Sequence, residues 1–373
     1  MFLFSLYGCA PSEEKEPEQT GEQEQEQEID KEPENLSSVT LNVSENLNGS
    51  QSQRVFRTVG RTFERNGALA CDFTCTGVKF TAACKGAVSV SFNTTADCYF
   101  TVYIDGVRIE ERLYVAKNIG GGFLTVADFD TYGTREIWVV KQSQYAMAYC
   151  EIVEVSLTGS FGKRPEEQSR FIEFYGDSVL NGSNIHTGGT SVVTSDGTLS
   201  YGFTTALALN ADCNIIGRGG MGLYTKDGST DGMNEVWDLC GGKSSPGVVN
   251  YDFGRVPDAV VVELGINDNI SDYYTDARYK TSIREMVLNL RSVYGDDITI
   301  IWCYGYHETI NATWEIAKEV LDSMNGNNSI LFCQLPNCAL PKTQGGDGYH
   351  PNVEMSREIA QVLTAFIEEN IYS

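Results

Sequence analysis

Histidine is scarce in this chain of 373 residues: there are three, His186, His307 and His350. The eleven cysteines contain no CxxC pair. A zinc cluster therefore lacks ligands at workable spacing, and no metal or other cofactor is expected. Basic residues are also in deficit. Lys+Arg 27 stand against Asp+Glu 51, a net charge of −24, and such a surface repels nucleic-acid phosphates and anionic headgroups. No nucleic-acid partner is expected. No apolar run reaches the roughly eighteen residues a membrane-spanning helix needs. What is plentiful is core material, 41% hydrophobic and 11% aromatic, in a length that fits about two domains.

Part of the negative charge is local. Residues 11–34 hold eleven acids and two lysines, with one Ile and no aromatic residue. Such a segment cannot offset its ordering entropy, so residues 10–38 read as a disordered, self-repelling acidic spacer. An acidic interaction tail is the alternative. Ahead of it, MFLFSLYGCA is apolar and ends in Leu6-Tyr7-Gly8-Cys9, without a positively charged leading stretch. Residues 1–9 resemble a truncated lipoprotein signal whose lipobox cysteine is Cys9. The resemblance implies an exported protein, lipid-anchored at Cys9 on the bacterial cell surface and touching the membrane only there; a frayed apolar terminus is the plainer alternative. Ten cysteines remain. An even number suits a disulfide set of unreadable connectivity, whereas Cys213, Cys303 and Cys333 sit in apolar runs where cysteine is often a small buried hydrophobe.

Hydrophobic period divides the rest. Over residues 39–160 apolar and polar residues alternate in short runs, clearest at Val78–Ala82, Val88–Phe92, Tyr99–Ile104 before Asp105-Gly106, Glu136–Val140 and Glu151–Leu157. Period two with Asp-Gly at a turn predicts antiparallel strands in a β-sandwich. Residues 161–169 are a polar link. From residue 170 to 373 the pattern changes to continuous apolar runs at Phe171–Tyr175, Asn214–Ile216, Ala259–Leu264, Ile298–Trp302 and Ile330–Leu335. Between or after them come helical stretches at Tyr279–Tyr294, Thr313–Met324 and Val353–Ile371. Buried strands alternating with helices predict a flavodoxin-like, three-layer α/β/α domain on a five-stranded parallel sheet.

Ligands of such sheets bind beyond the carboxyl ends of the strands. Gly176-Asp177-Ser178 comes after the first strand, Gly217-Arg218-Gly219-Gly220-Met221-Gly222 after the second and Gly265-Ile266-Asn267-Asp268 after the third. Asp347-Gly348-Tyr349-His350 precedes the last helix. These groups meet the needs of acyl transfer. Ser178 is a weak nucleophile until a base takes its proton, and His350 is the candidate base. Asp347 would orient the imidazole. Backbone N–H groups of Ser178 and Gly220 and the Asn267 amide would form the oxyanion hole, with Gly219 and Gly222 as competitors of Gly220. Ser178 is expected to open a helix whose dipole favours developing negative charge. Asp177 and Asp268 are expected to support turn geometry.

These blocks resemble those of the SGNH/GDSL hydrolases: Gly-Asp-Ser first, Gly220 second, Gly-Ile-Asn-Asp third and Asp-Gly-Tyr-His-Pro fifth. The preceding β-sandwich, with Val59-Gly60-Arg61 near its start, is similar to the jelly roll of carbohydrate esterase family 2. That family removes acetyl groups from plant-wall polysaccharides such as xylan and glucomannan. The resemblance implies a serine esterase acting, as a monomer, on acetylated polysaccharide or oligosaccharide. Members commonly place the acid two residues before the histidine or lack a functional one, whereas Asp347 lies three before it, as in the wider superfamily. A lipase or thioesterase on the same scaffold is one alternative and a non-catalytic surface glycan-binding lipoprotein another. Trp302, Tyr304 and Tyr306 lie at or just beyond the end of the fourth strand and are candidates for stacking a sugar ring, with Tyr304 and Tyr306 expected to be exposed and Trp302 able to serve as core instead. His186 reads as a loop histidine, and His307 has no acid three residues before it.

Overall fold

The computed structural model describes residues 31–47, 54–186, 191–225, 228, 231–306, 308–337 and 350–373. Two sheets organise them. Ten antiparallel strands, from Ser38–Asn42 to Cys150–Phe161, form the first. Their inward residues, among them Val78, Phe80, Val90, Phe92, Phe100, Val139 and Val155, make one buried cluster. Val78–Ala82 and Val88–Phe92, expected as separate strands, are halves of a single strand, Gly77–Thr94. Register shifts between Cys84 and Gly86 and between Val88 and Ser89 mark bulges that bend it. Asp105 and Gly106 both take positive φ, 50° and 79°. That is the backbone a two-residue hairpin requires, and Ile104 pairs directly with Val107 across it.

The second sheet is parallel, in the order Ala211–Gly217, Arg170–Gly176, Ala259–Glu263, Ile300–Tyr304, Ile330–Gln334. The Ala259–Glu263 strand is buried at every position, as expected where helices cover both faces. Tyr201–Ala208 and Val353–Ile371 pack on one face with Ile172, Phe174 and Val261. Asp276–Tyr294 and Glu308–Met324 pack on the other with Val260, Val262 and Ile300. The Asp276 helix starts three residues before the expected Tyr279 because Thr275 caps it, its Oγ1 accepting from the Arg278 N–H at 3.2 Å.

The two sheets share a polar interface. Arg61, 1% exposed, leaves the first domain and donates to Glu173 Oε1 and Oε2, 3.0 and 3.2 Å, on the first parallel strand. It also donates to Tyr175 Oη and to the carbonyls of Trp237 and Leu239, and stacks on Tyr251 at 3.9 Å. Nearer the active edge, the Gln142 carbonyl accepts from the Gly197 N–H, Thr101 meets Thr198 at 2.8 Å, and Arg108 pairs with buried Asp196.

Candidate active site

Parallel register sets the site. Gly176 lies opposite Gly217 on one side and Glu263 on the other. The loops that carry Ser178, Gly219-Gly220 and Asn267 therefore leave the sheet side by side. A Cβ on Gly217 would sit 2.2 Å from the Gly176 carbonyl oxygen, so the close departure of two loops requires glycine there.

Ser178 does not open a helix, contrary to expectation. Residues after it make one turn, with the Ser183 N–H donating to the Ser178 carbonyl at 3.0 Å. Gly182 and Asn184 then take left-handed φ of 62° and 56°. A helix cannot continue through them, and the Asp196 carbonyl packs against Gly182, 2.2 Å from where a Cβ would lie. Asp177 fixes this turn from below. Its Oδ1 accepts from the Val179 N–H at 3.0 Å, and its carbonyl accepts from Asn181 Nδ2 at 2.7 Å.

His350 Nε2 lies 2.9 Å from Ser178 Oγ, although 172 residues separate them. The start of the last helix fixes the backbone beside the ring. Asn352 caps the Val353–Ile371 helix, its Oδ1 accepting from the Met355 N–H, and Ser356 Oγ donates to the Leu199 carbonyl at 3.1 Å. Asp347, His307 and Cys9 lie outside the described residues.

Of the three glycines that compete for the second oxyanion position, one has its N–H engaged and another is crowded on its Cα. The Gly219 N–H donates to Gln144 Oε1, and a Cβ on Gly222 would meet the Asp268 carboxylate at 2.8 Å. Gly220 takes φ 76°, and a Cβ there would meet nothing within 4 Å. Asn267 stands close to the nucleophile but with its amide engaged: Nδ2 donates to Asp177 Oδ2 at 2.9 Å and to the Met221 carbonyl at 3.0 Å.

Three carboxyl groups lie buried beneath this edge. Burial pushes Asp177 up to about 6, against the pull of the Val179 N–H, His350, Ser178 and Asn267. Burial pushes Asp268 up to about 7, opposed by the N–H groups of Leu223 and Tyr224. Asp268 Oδ1 and Oδ2 accept from the Leu223 N–H at 2.9 and 3.0 Å, which ties the glycine-rich loop to the third strand's loop. Glu263 is raised well above the carboxylate range, first by burial and then by Asp177. Asp177 and Asp268 thus anchor turns, as expected.

One aromatic departs from expectation, and another takes the core place that was open to it. Tyr306, expected to be exposed, is 0% exposed, and Trp302 is 1% exposed in the core between sheet and helices. Neither can stack a sugar as placed. They differ from Tyr304 because Trp302 lies inside the sheet under a helical layer, and Gly305 at φ 90° turns Tyr306 back inward. Tyr304 is half-buried at the sheet's carboxyl edge and stacks on Trp314, centroids 4.0 Å apart and planes 1° from parallel. Neither Trp314 nor Gln144 is marked by any motif in the sequence, since one lies on a helix and the other on the far domain.

No family model matches the chain. A search of curated proteins finds the Acetivibrio thermocellus protein named "Cellulase/esterase CelE", 26% identical over 224 residues; the match covers 57% of this chain and 27% of that protein. Solved structures align over nearly their whole length. A family two carbohydrate esterase from Clostridium thermocellum in complex with cellohexaose superposes with a TM-score of 0.76 at 21% identity, covering 85% of this chain and 99% of that one. An acetyl xylan esterase from the rumen bacterium Butyrivibrio proteoclasticus reaches 0.77 at 19% identity, covering 90% and 99%. The fold is therefore a jelly roll followed by a three-layer α/β domain, shared with solved structures described as family two carbohydrate esterases.

Proposed function

We propose that this chain is a serine-type carboxylic ester hydrolase that removes O-acetyl groups from polysaccharides or oligosaccharides of the xylan or glucomannan type. The observation that carries the reading is the 2.9 Å Ser178 Oγ–His350 Nε2 contact at the carboxyl edge of the parallel sheet. Ser178 donates its proton to His350 Nε2 as Oγ attacks the acetyl carbonyl carbon. The oxyanion so formed is met by the Ser178 and Gly220 backbone N–H groups, with Asn267 turning one amide hydrogen from Met221 toward it. His350 then returns the proton to the departing sugar oxygen. Water, deprotonated by the same ring, releases acetate from the acetyl-enzyme. Asp347 orients the imidazole.

Tyr304, backed by Trp314, offers aromatic surface at this edge for a sugar ring. The neighbours' names support the glycan assignment, since one is an acetyl xylan esterase and another holds cellohexaose. In the same reading the enzyme works outside the cell on a lipid anchor at Cys9, as a monomer. The test is acetate release from acetylated xylan and acetylated glucomannan, wild type beside Ser178→Ala, with 4-nitrophenyl acetate as a small ester. Serine-dependent release from either polymer supports the proposal. Activity on the small ester alone removes the glycan assignment, and silence on all three removes the esterase.

A further inference from the structure

A cavity of about 280 Å³ opens between the two domains at the end of the parallel sheet opposite Ser178. Phe171 and Ala211, at the amino ends of their strands, line it. Ser178 lies seven positions beyond Phe171, past the strand's end at Gly176, roughly 20 Å at the rise of a strand. Four cations border it, Arg57, Lys79, Arg164 and Arg255, against two carboxylates, Glu167 and Asp212. The cleft is thus net positive in a chain of net charge −24.

The cations are not equivalent. Arg57 and Arg255 both pair with Asp212, and Arg164 pairs with Glu167. Each also donates to a backbone carbonyl: Arg57 to Glu166, Arg255 to Gln168 and Arg164 to Phe56. Lys79 has no carboxylate within ion-pair distance among the described residues, yet it is 3% exposed. Strand register places it directly between Arg57 and Trp138. Like charges directly opposite on neighbouring strands repel, and an ammonium without a counterion is costly to bury. Its compensation is the Trp138 ring, 4.3 Å away. Phe171, Phe203 and Leu207 form an apolar wall beside it.

We propose that this cleft binds an organic monocarboxylate of monosaccharide size, with Lys79 as its counterion. Lys79, the cation of the cleft with no carboxylate within ion-pair distance among the described residues, offers its ammonium to one negative charge, while each arginine there already faces a carboxylate. The volume lies near the lower end for small-ligand pockets, about 300 Å³. The site is separate from Ser178 and does not depend on the esterase reading.

The test is titration calorimetry on the full chain with glucuronate, glucose and inorganic phosphate, using wild type, Lys79→Met and Ser178→Ala. Glucuronate is expected to bind wild type and Ser178→Ala alike, and at least about tenfold more weakly to Lys79→Met. Glucose, without the charge, should bind at least about tenfold more weakly than glucuronate. Lys79→Met should melt no lower than wild type, since it removes an unpaired buried charge; should it fail to fold, Lys79→Gln serves the same comparison. Absence of glucuronate binding at concentrations on the order of 10 mM overturns the proposal. So does binding unaffected at Lys79, binding lost in Ser178→Ala, or preference for phosphate.

Discussion

Replacing Arg61 by Met should loosen the joint between the two domains, and its cost should depend on pH. Arg61 and Glu173 are 1% and 0% exposed. In the variant Glu173 keeps three neutral donors, Asn214 Nδ2 at 2.6 Å, Tyr294 Oη at 2.7 Å and Tyr175 Oη at 3.1 Å, but loses its counterion. Breaking a buried pair from one side costs about 3–5 kcal/mol. The carboxylate can escape by taking up a proton. From an ordinary carboxylate value of about 4.3 that costs ~4 kcal/mol at pH 7 and ~1 kcal/mol at pH 5. The carbonyls of Trp237 and Leu239 also lose a donor, about 1 kcal/mol or more each at any pH. Wild type and Arg61→Met should therefore differ by about 5 kcal/mol at pH 7 and about 3 kcal/mol at pH 5. The variant's folded state holds the Glu173 proton more tightly than its unfolded state, so its stability falls as pH rises. Urea denaturation monitored by tryptophan fluorescence at both pH values measures this. Arg61→Met/Glu173→Gln, which removes the charge but keeps acceptor and donors, should recover most of the pH-dependent part. A loss under ~1 kcal/mol at pH 7, or one unchanged between the two pH values, would refute the argument.

The same contacts dictate three further outcomes. Gln144→Leu removes the acceptor of the Gly219 N–H; kcat for ester hydrolysis should fall about tenfold or more as Gly220 loses its placement, with KM little changed, and an unaltered kcat would free the loop from the jelly roll. Asp268 is raised from 3.8 to about 7, so its contribution to stability is full below its unfolded value and is lost as pH rises through the folded one. Wild type should lose up to ~4 kcal/mol relative to Asp268→Asn between pH 4 and pH 8 in urea midpoints, and parallel profiles would contradict the assignment. Cys98 and Cys150 are buried, unpaired and 3.1 Å apart at sulfur, 52 residues apart in sequence. Oxidised glutathione should join them, raising stability by about 4 kcal/mol in a dithiothreitol-reversible way absent from Cys150→Ser; an unchanged thiol count in the unfolded protein would exclude the bond.

The other described cysteines are also unpaired and buried. Cys213, Cys303 and Cys333 take the hydrophobe's role that their apolar surroundings foretold. An even cysteine count carried less information than local context, because pairing needs spatial approach that counting cannot see.

Hydrophobic period alone determined that an antiparallel domain precedes a parallel five-stranded one, since period two and continuous apolar runs answer to different burial of the two sheet faces. The same periodicity put Ser178, Gly220, Asn267 and His350 beyond strand ends, and the sheet brings Ser178 and His350 into contact. Tertiary structure alone decided three things. Tyr306 went inward because a glycine turn, not aromatic character, set its burial. Ser178 sits on a turn because Gly182 must admit the Asp196 carbonyl from a distant loop. Gln144 and Arg61 acquired their roles because one domain's edge meets the other's loops. Contacts between residues far apart in the chain leave no period and no spacing in it, so they become visible only when both partners are in place.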